Sequence, residues 1–84
     1  MQVMEPVMTL ADLQTDVLAL VEDVEEVGST GERLMELGLI RNTPIRIVRR
    51  GLFGDPLQIA LRGYTLMLRK AQAARILIRQ CASP

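Results

Sequence analysis

Residues 37–68 read Leu37-Gly38-Leu39-Ile40-Arg41-Asn42-Thr43-Pro44-Ile45-Arg46-Ile47-Val48-Arg49-Arg50-Gly51-Leu52-Phe53-Gly54-Asp55-Pro56-Leu57-Gln58-Ile59-Ala60-Leu61-Arg62-Gly63-Tyr64-Thr65-Leu66-Met67-Leu68. The apolar period changes inside this stretch. After Pro44, Ile45 and Ile47 alternate with Arg46, and Leu57, Ile59 and Leu61 alternate with Gln58 and Arg62. Tyr64, Leu66 and Leu68 then alternate with Thr65 and Arg69. Period two is the signature of strands with one buried face, and the connections, Gly51 to Pro56 and Arg62-Gly63, are of hairpin type. Three antiparallel strands in succession are predicted.

Upstream, Val17 to Val24 is apolar on both faces, which predicts a central strand. Glu25 to Gly28 turns the chain. Ser29-Thr30-Gly31-Glu32 has capping-box spacing, serine followed three residues later by glutamate, and predicts a helix start. Leu34 and Leu37 form its buried stripe with Met35 at the edge. Gly38 ends it, because the residue after a helix commonly takes a left-handed conformation that glycine adopts without strain. Leu39 and Ile40 are expected to pack back against the helix. Thr9 can cap a single turn through Asp12. Lys70 to Ala74 reads as one helical turn, and Ile76 and Ile78 as a last strand. Residues 1–8 read as a loose lead-in, 9–79 as the domain and 80–84 as a tail. The pattern is mainly β with short helices: a bent five-stranded antiparallel barrel with a helix inserted after the first strand.

Composition narrows the function. At 84 residues the chain is expected to be one domain, burying roughly 60–65% of its unfolded surface. Apolar residues make up 49%, yet Phe53 and Tyr64 are the sole aromatics. The single cysteine, Cys81, excludes an internal disulfide and suits a reducing cytosol. No apolar run approaches the ~20 residues that span a bilayer, and the acidic N-terminal region does not read as a signal peptide.

Net charge is zero, with 10 basic and 10 acidic residues, but the two are segregated. Up to Ile40, Arg33 is the lone base; from Arg41 onward, Asp55 is the lone acid. Such asymmetry marks either a nucleic-acid surface or oppositely charged elements that pair within one fold. The bases fall at alternate strand positions rather than in a cluster, which favours pairing.

Five landmarks in order carry a family resemblance: Leu37-Gly38-Leu39, Thr43, Gly54-Asp55-Pro56, Gly63 and Leu66-Met67-Leu68-Arg69. With Thr9-Leu10-Ala11-Asp12-Leu13 upstream and Ala73-Ala74-Arg75-Ile76 downstream, residues 9 to 79 resemble the ferrous iron transport protein A (FeoA) family. The resemblance implies an SH3-like barrel and a cytoplasmic, non-enzymatic accessory role in ferrous iron uptake. It also implies interaction with FeoB, the membrane transporter that carries a cytosolic GTPase domain. The family's usual Pro-Gly before the threonine is replaced by Arg41-Asn42. Asparagine is the best non-glycine occupant of left-handed backbone, so Asn42 can keep the turn.

The residues themselves argue against several chemistries. Without histidine the usual general base near neutral pH is missing. Gly28, Gly31 and Gly38 lack the spacing of a phosphate loop or dinucleotide fingerprint. The family is linked to transition metals, but one cysteine and no histidine leave no soft-ligand cage, so no metal ligand or cofactor is assigned. Glu22, Asp23, Glu25 and Glu26 could hold a hard cation weakly, or form an acidic turn. The arginines lack the aromatic stacking partners of nucleic-acid-binding barrels, so no nucleic-acid partner is expected. An SH3-like module of a metal-dependent transcription regulator and a small nucleic-acid-binding barrel are the alternatives.

Gly51-Leu52-Phe53-Gly54-Asp55-Pro56 sets two large apolar residues at a hairpin tip. Exposed, they mark a partner surface; folded under, they plug one end of the barrel. The expected contact surface for the transporter is Leu39 and Ile40 after the helix, with Leu52 and Phe53 at the hairpin. Ser29, Glu32, Gly38, Asn42, Gly54, Asp55, Pro56 and Gly63 are expected to be structural caps and turns, with Asp55 accepting backbone N–H groups of its own turn.

Overall fold

Branched aliphatic residues at every second position lay one continuous apolar face onto a strongly bent sheet. The computed structural model describes residues 7–26 and 28–80. Most of the expected lead-in and Cys81 with the tail beyond it lie outside the described residues. The strands are β1 (Val7–Thr9), β2 (Ala19–Val24), β3 (Pro44–Arg50), β4 (Leu57–Leu61), β5 (Tyr64–Leu68) and β6 (Ile76–Gln80). Helix α1 (Gly28–Glu36) follows β2, and the single turn α2 (Lys70–Ala73) follows β5. All ladders are antiparallel, in the order β1-β6-β2-β3-β4-β5.

The architecture is mainly β with short helices, as the periodicity implies, but it has six strands rather than five. Val7 and Met8, in the expected lead-in, pair with Arg79 and Ile78 of β6. A three-residue strand is too short for its alternation to register as a period. Among the described residues no ladder joins β1 to β5, so the sheet curls without closing through its backbone. Bulges in two strands supply the bend: the register shifts between Val21 and Asp23 of β2 and between Ile47 and Arg49 of β3. An extra residue on one side of a ladder kinks that strand and increases its twist.

Fully buried side chains include Leu10, Leu13, Val21, Leu39, Ile45, Ile47, Leu57, Ile59, Ile76 and Ile78. Neither aromatic is buried: Tyr64 is 42% exposed and Phe53 95%. The 3₁₀ turn Leu10–Asp12 packs against α2 and buries Leu10 with Ala73. Thr9 stands at the cap of that turn, yet its hydroxyl donates to the Asp12 carboxylate at 3.1 Å rather than serving the backbone. Strand β2 is central by pairing, between β6 and β3, although Leu18 before it is half exposed. Both-face apolarity therefore gave the right position for an incomplete reason.

Where the backbone ladder stops, side chains continue the enclosure. The β4–β5 hairpin turns on Arg62 (φ 49°) and Gly63 (φ 85°), the pair of positive angles a two-residue type I′ turn requires. It lies over the end of α1, where the Tyr64 hydroxyl donates to the Leu37 carbonyl and the Arg62 guanidinium reaches the Thr43 hydroxyl at 3.4 Å. Gly38, at φ 108°, sits directly beneath. A Cβ there would stand 3.0 Å from the Tyr64 hydroxyl and 3.1 Å from Arg62 Cδ. Gly38 is therefore required twice, by its backbone angle and by the hairpin above it.

Gly38→Ala and Gly63→Ala test that distinction. Gly63 is also left-handed, but a Cβ on it would meet nothing within 4 Å. Strain alone is expected to cost Gly63→Ala about 1 kcal/mol, and strain plus the displaced hairpin to cost Gly38→Ala about 2–3 kcal/mol. Urea unfolding of the two variants measures this; equal losses would mean that the hairpin yields freely.

Candidate functional site

The four residues expected to form one contact surface are separated by the fold. Leu39 is fully buried. After Gly38 the chain doubles back, the Leu39 N–H bonds the Leu34 carbonyl at 3.1 Å, and the side chain is carried into the core. That removes it from any surface. Ile40, one residue on, is 44% exposed. Leu52 and Phe53 stand beyond the far end of β3, whose seven residues at about 3.3 Å each put roughly 20 Å between the two places.

Ile40 borders a groove of about 670 Å³. Met35 of α1 and Leu77 of β6 also line it, and Glu22, Asp23 and Arg41 carry charge along it. Met35 is itself 48% exposed, so the groove presents two accessible large apolar side chains. Its charged edge is built by the β2 bulge. Glu22 is the residue skipped between Val21, paired with Ile78, and Asp23, paired with Leu77. The Glu22 carboxylate accepts a hydrogen bond from Arg79 Nε at 2.5 Å and lies 3.4 Å from the Arg41 guanidinium. Arg79 also donates to the Asn42 side-chain oxygen. Asn42 takes the left-handed angle expected of it, φ 73°, and its N–H bonds the Val21 carbonyl at 2.7 Å. The Arg79 hydrogen bond, with the charges of Arg41 and Arg79, holds the Glu22 carboxyl below its ordinary range against an opposing desolvation.

The hairpin tip differs in kind. Residues 52–54 form a 3₁₀ turn in which Phe53 has φ 59° and ψ 22°. Leu52 is 83% exposed and Phe53 95%, so neither plugs the barrel. A bulky residue in left-handed backbone is a conformational outlier. Gly54 (φ 79°) and the cis Asp55–Pro56 bond complete the turn. Asp55 is structural in a way its position does not announce. Its carboxylate accepts the Lys70 backbone N–H at 2.8 Å, tying the hairpin to the start of α2 rather than capping its own turn.

Ser29, expected to cap the helix in a capping box with Glu32, is not at the cap position. Helix α1 begins at Gly28, which places Ser29 within its first turn. Gly31 packs so tightly on the preceding chain that a Cβ would collide with the Glu26 carbonyl. Two features escaped the periodicity altogether. One is the Glu22–Arg79–Asn42 network, signalled in sequence by Glu22-Asp23 interrupting the apolar β2 run. The other is Arg50, whose guanidinium donates to the Ala11 and Leu13 carbonyls at 2.9 and 2.6 Å. The doubled Arg49-Arg50 that breaks the β3 alternation is its signal.

Acids and bases pair across the chain, as their spacing favoured. Arg41 and Arg79 pair with Glu22, Arg46 with Asp16, and Arg75 with Glu26. Glu22 and Glu26 of the acidic run are thereby engaged by guanidinium groups. Among the described residues no three of His, Cys, Asp and Glu converge as a metal site, and no helix is long and apolar enough to cross a membrane.

The model for the FeoA domain matches residues 8–80. The chain belongs to the FeoA domain family. The solution structure of FeoA from Chlorobium tepidum superposes with a TM-score of 0.84 at 30% identity, covering 92% of this chain and 73% of that one. FeoA from Stenotrophomonas maltophilia, solved with zinc, is 31% identical with a TM-score of 0.74, covering 84% of this chain and 88% of that one. That protein is described as a procaryotic SH3 domain and offered as an activating factor for bacterial ferrous iron transport. A manganese-dependent transcriptional repressor shares the fold alone, at 17% identity and a TM-score of 0.79, over 92% of this chain and 43% of its own. Among curated proteins none matches the chain.

Two measurements follow from this geometry. Phe53→Ala should change stability by less than about 0.5 kcal/mol, as at ordinary surface sites; a large fall in Tm would place the ring in the core. For Glu22, a lowered folded-state pKa means that its stabilisation is complete above the ordinary carboxylate range and fades as pH falls through the lowered value. The stability gap between wild type and Glu22→Gln should therefore be constant near neutral pH and shrink in acid. Thermal unfolding across a pH series checks the direction.

Proposed function

We propose that the protein is a non-enzymatic accessory of bacterial ferrous iron uptake, acting in the cytoplasm on the GTPase domain of a FeoB-type transporter. The FeoA-domain match over residues 8–80 carries this reading. The description of the Stenotrophomonas relative as a transport activating factor supports it. A regulatory rather than chemical role fits a chain with no histidine, whose one cysteine has no histidine to activate it.

The Ile40 and Met35 groove is the contact. It is concave, its apolar side chains are accessible, and its edge carries Glu22, Asp23 and Arg41 to fix a partner's register. Interface energy concentrates in a few such anchors within a polar rim.

Ile40→Ser should weaken binding to the transporter's cytosolic domain about ten-fold, equivalent to about 1.4 kcal/mol, while Tm stays near wild type. Calorimetric titration of the two purified proteins measures it. Unchanged affinity in Ile40→Ser and Met35→Ser together would remove the groove from the interface. Absence of binding by the wild-type protein would remove the transporter domain as its partner.

A further inference from the structure

The bases that follow Ile40 are not equally occupied. Arg41, Arg46, Arg75 and Arg79 are in ion pairs. Arg50 is held by two backbone carbonyls, and Arg62 by the Thr43 hydroxyl. Arg49, Arg69 and Lys70 have no carboxylate partner among the described residues. These three lie at one end of the molecule. Arg49 is the penultimate residue of β3, and Leu57 pairs with Leu68, which brings Arg69 and Lys70 beside the end of the same hairpin. Lys70 Nζ comes within 4.0 Å, and Arg50 Nη1 within 3.8 Å, of where a Cβ on Gly54 would stand. Lys70 thus stands at the turn from which Leu52 and Phe53 project, with Arg50 beside it and Arg49 and Arg69 at the adjoining strand ends.

We propose that this tip docks on an anionic lipid bilayer, with Leu52 and Phe53 entering the interface and Arg49, Arg69 and Lys70 meeting the headgroup phosphates. A protein pocket is the less fitting occupant. A stable protein interface covers about 800 Å² on each side with an apolar centre and a polar rim. Here two apolar side chains project from a narrow turn and are surrounded at once by charge. A bilayer suits that shape, because it accepts isolated apolar side chains at its boundary and attracts cations to its anionic surface. The acids nearby, Asp55 and Asp12, keep their negative charge and offset part of the collar. Arg49, Arg50, Arg69 and Lys70 outnumber them four to two, so this end stays net positive. Asp55 is engaged by the Lys70 N–H and Asp12 by the Thr9 hydroxyl. Left-handed Phe53, which contributes nothing to the core, acquires a use on this reading. The surface lies about 20 Å from the Ile40 groove, by seven β3 residues at about 3.3 Å each, so a membrane and a protein partner can be held together.

Vesicle flotation of the full chain, without any transporter present, tests the proposal independently of the function proposed above. With vesicles of about one part phosphatidylserine to two parts phosphatidylcholine, the protein should float with the lipid and be released by salt, since the surface field is screened within a Debye length. Phe53→Ala should weaken the partition about ten-fold or more. Lys70→Glu should weaken it several-fold by reversing one cation of the collar. The chain contains no tryptophan, so Phe53→Trp introduces a unique reporter. Its indole emission should shift to the blue on anionic vesicles and stay unshifted on phosphatidylcholine alone. The proposal is overturned if the wild-type protein ignores anionic vesicles, if Phe53→Ala binds them as well as wild type, or if the indole emission of Phe53→Trp is unmoved. Phe53→Ala that loses affinity for the transporter's cytosolic domain, in a protein that does not float, would assign the tip to a protein partner instead.

Discussion

The seating of the β4–β5 hairpin on the end of α1 is the contact on which the rest of the structure depends. The sheet runs from β1 to β5 without a ladder between those two edges among the described residues. Enclosure of the core there rests on side chains: the Tyr64 hydroxyl on the Leu37 carbonyl, Arg62 on Thr43, and Gly38 thin enough to let them approach. Remove the approach and the edge of β5 lifts from the helix. A core of Leu, Ile, Val and Ala has little reserve in so small a domain, whose net stability is the narrow difference of large opposing terms.

The same hairpin and the two bulges distribute function. By bending β2 and β3, the bulges turn Glu22 toward Arg79 and Arg41, and Arg50 back onto the Leu10–Leu13 segment. Those contacts use up most of the basic half. The charge asymmetry therefore does not describe a continuous basic surface. It describes two halves that neutralise each other along the sheet, with the remainder collected at one hairpin. Four of the accessible apolar groups divide in parallel, Ile40 with Met35 in a groove at one end and Leu52 with Phe53 on a projection at the other. Leu18, Tyr64 and Met67 are exposed elsewhere.

The two places differ in what they can recognise. A concave groove with fixed charges on its edge selects a shape and a register. A convex apolar pair with a cationic collar selects a phase boundary. On the two proposals above, each has a use, since attachment to the lipid surface would raise the local concentration at the transporter without strengthening the protein contact itself.

Residue order alone determined the strand periods of β3 to β5, the hairpins at Gly51–Pro56 and Arg62-Gly63, the helix end at Gly38 and the left-handed role of Asn42. These depend on neighbours in sequence, through side-chain alternation and local backbone angles, and so are legible without the fold. The tertiary structure decided the rest. Leu39 and Ile40 are adjacent and equally apolar, yet one is buried and the other exposed, because the reversal at Gly38 points successive side chains opposite ways. Asp55 serves α2 and not its own turn because β4 and β5 bring Lys70 beside it. Val7 and Met8 form a strand only because β6, far along the chain, offers an edge to pair with. Which arginines remain free could not be read from spacing, since pairing depends on what the sheet places across from each one, and that is fixed by register and bulges rather than by distance along the chain.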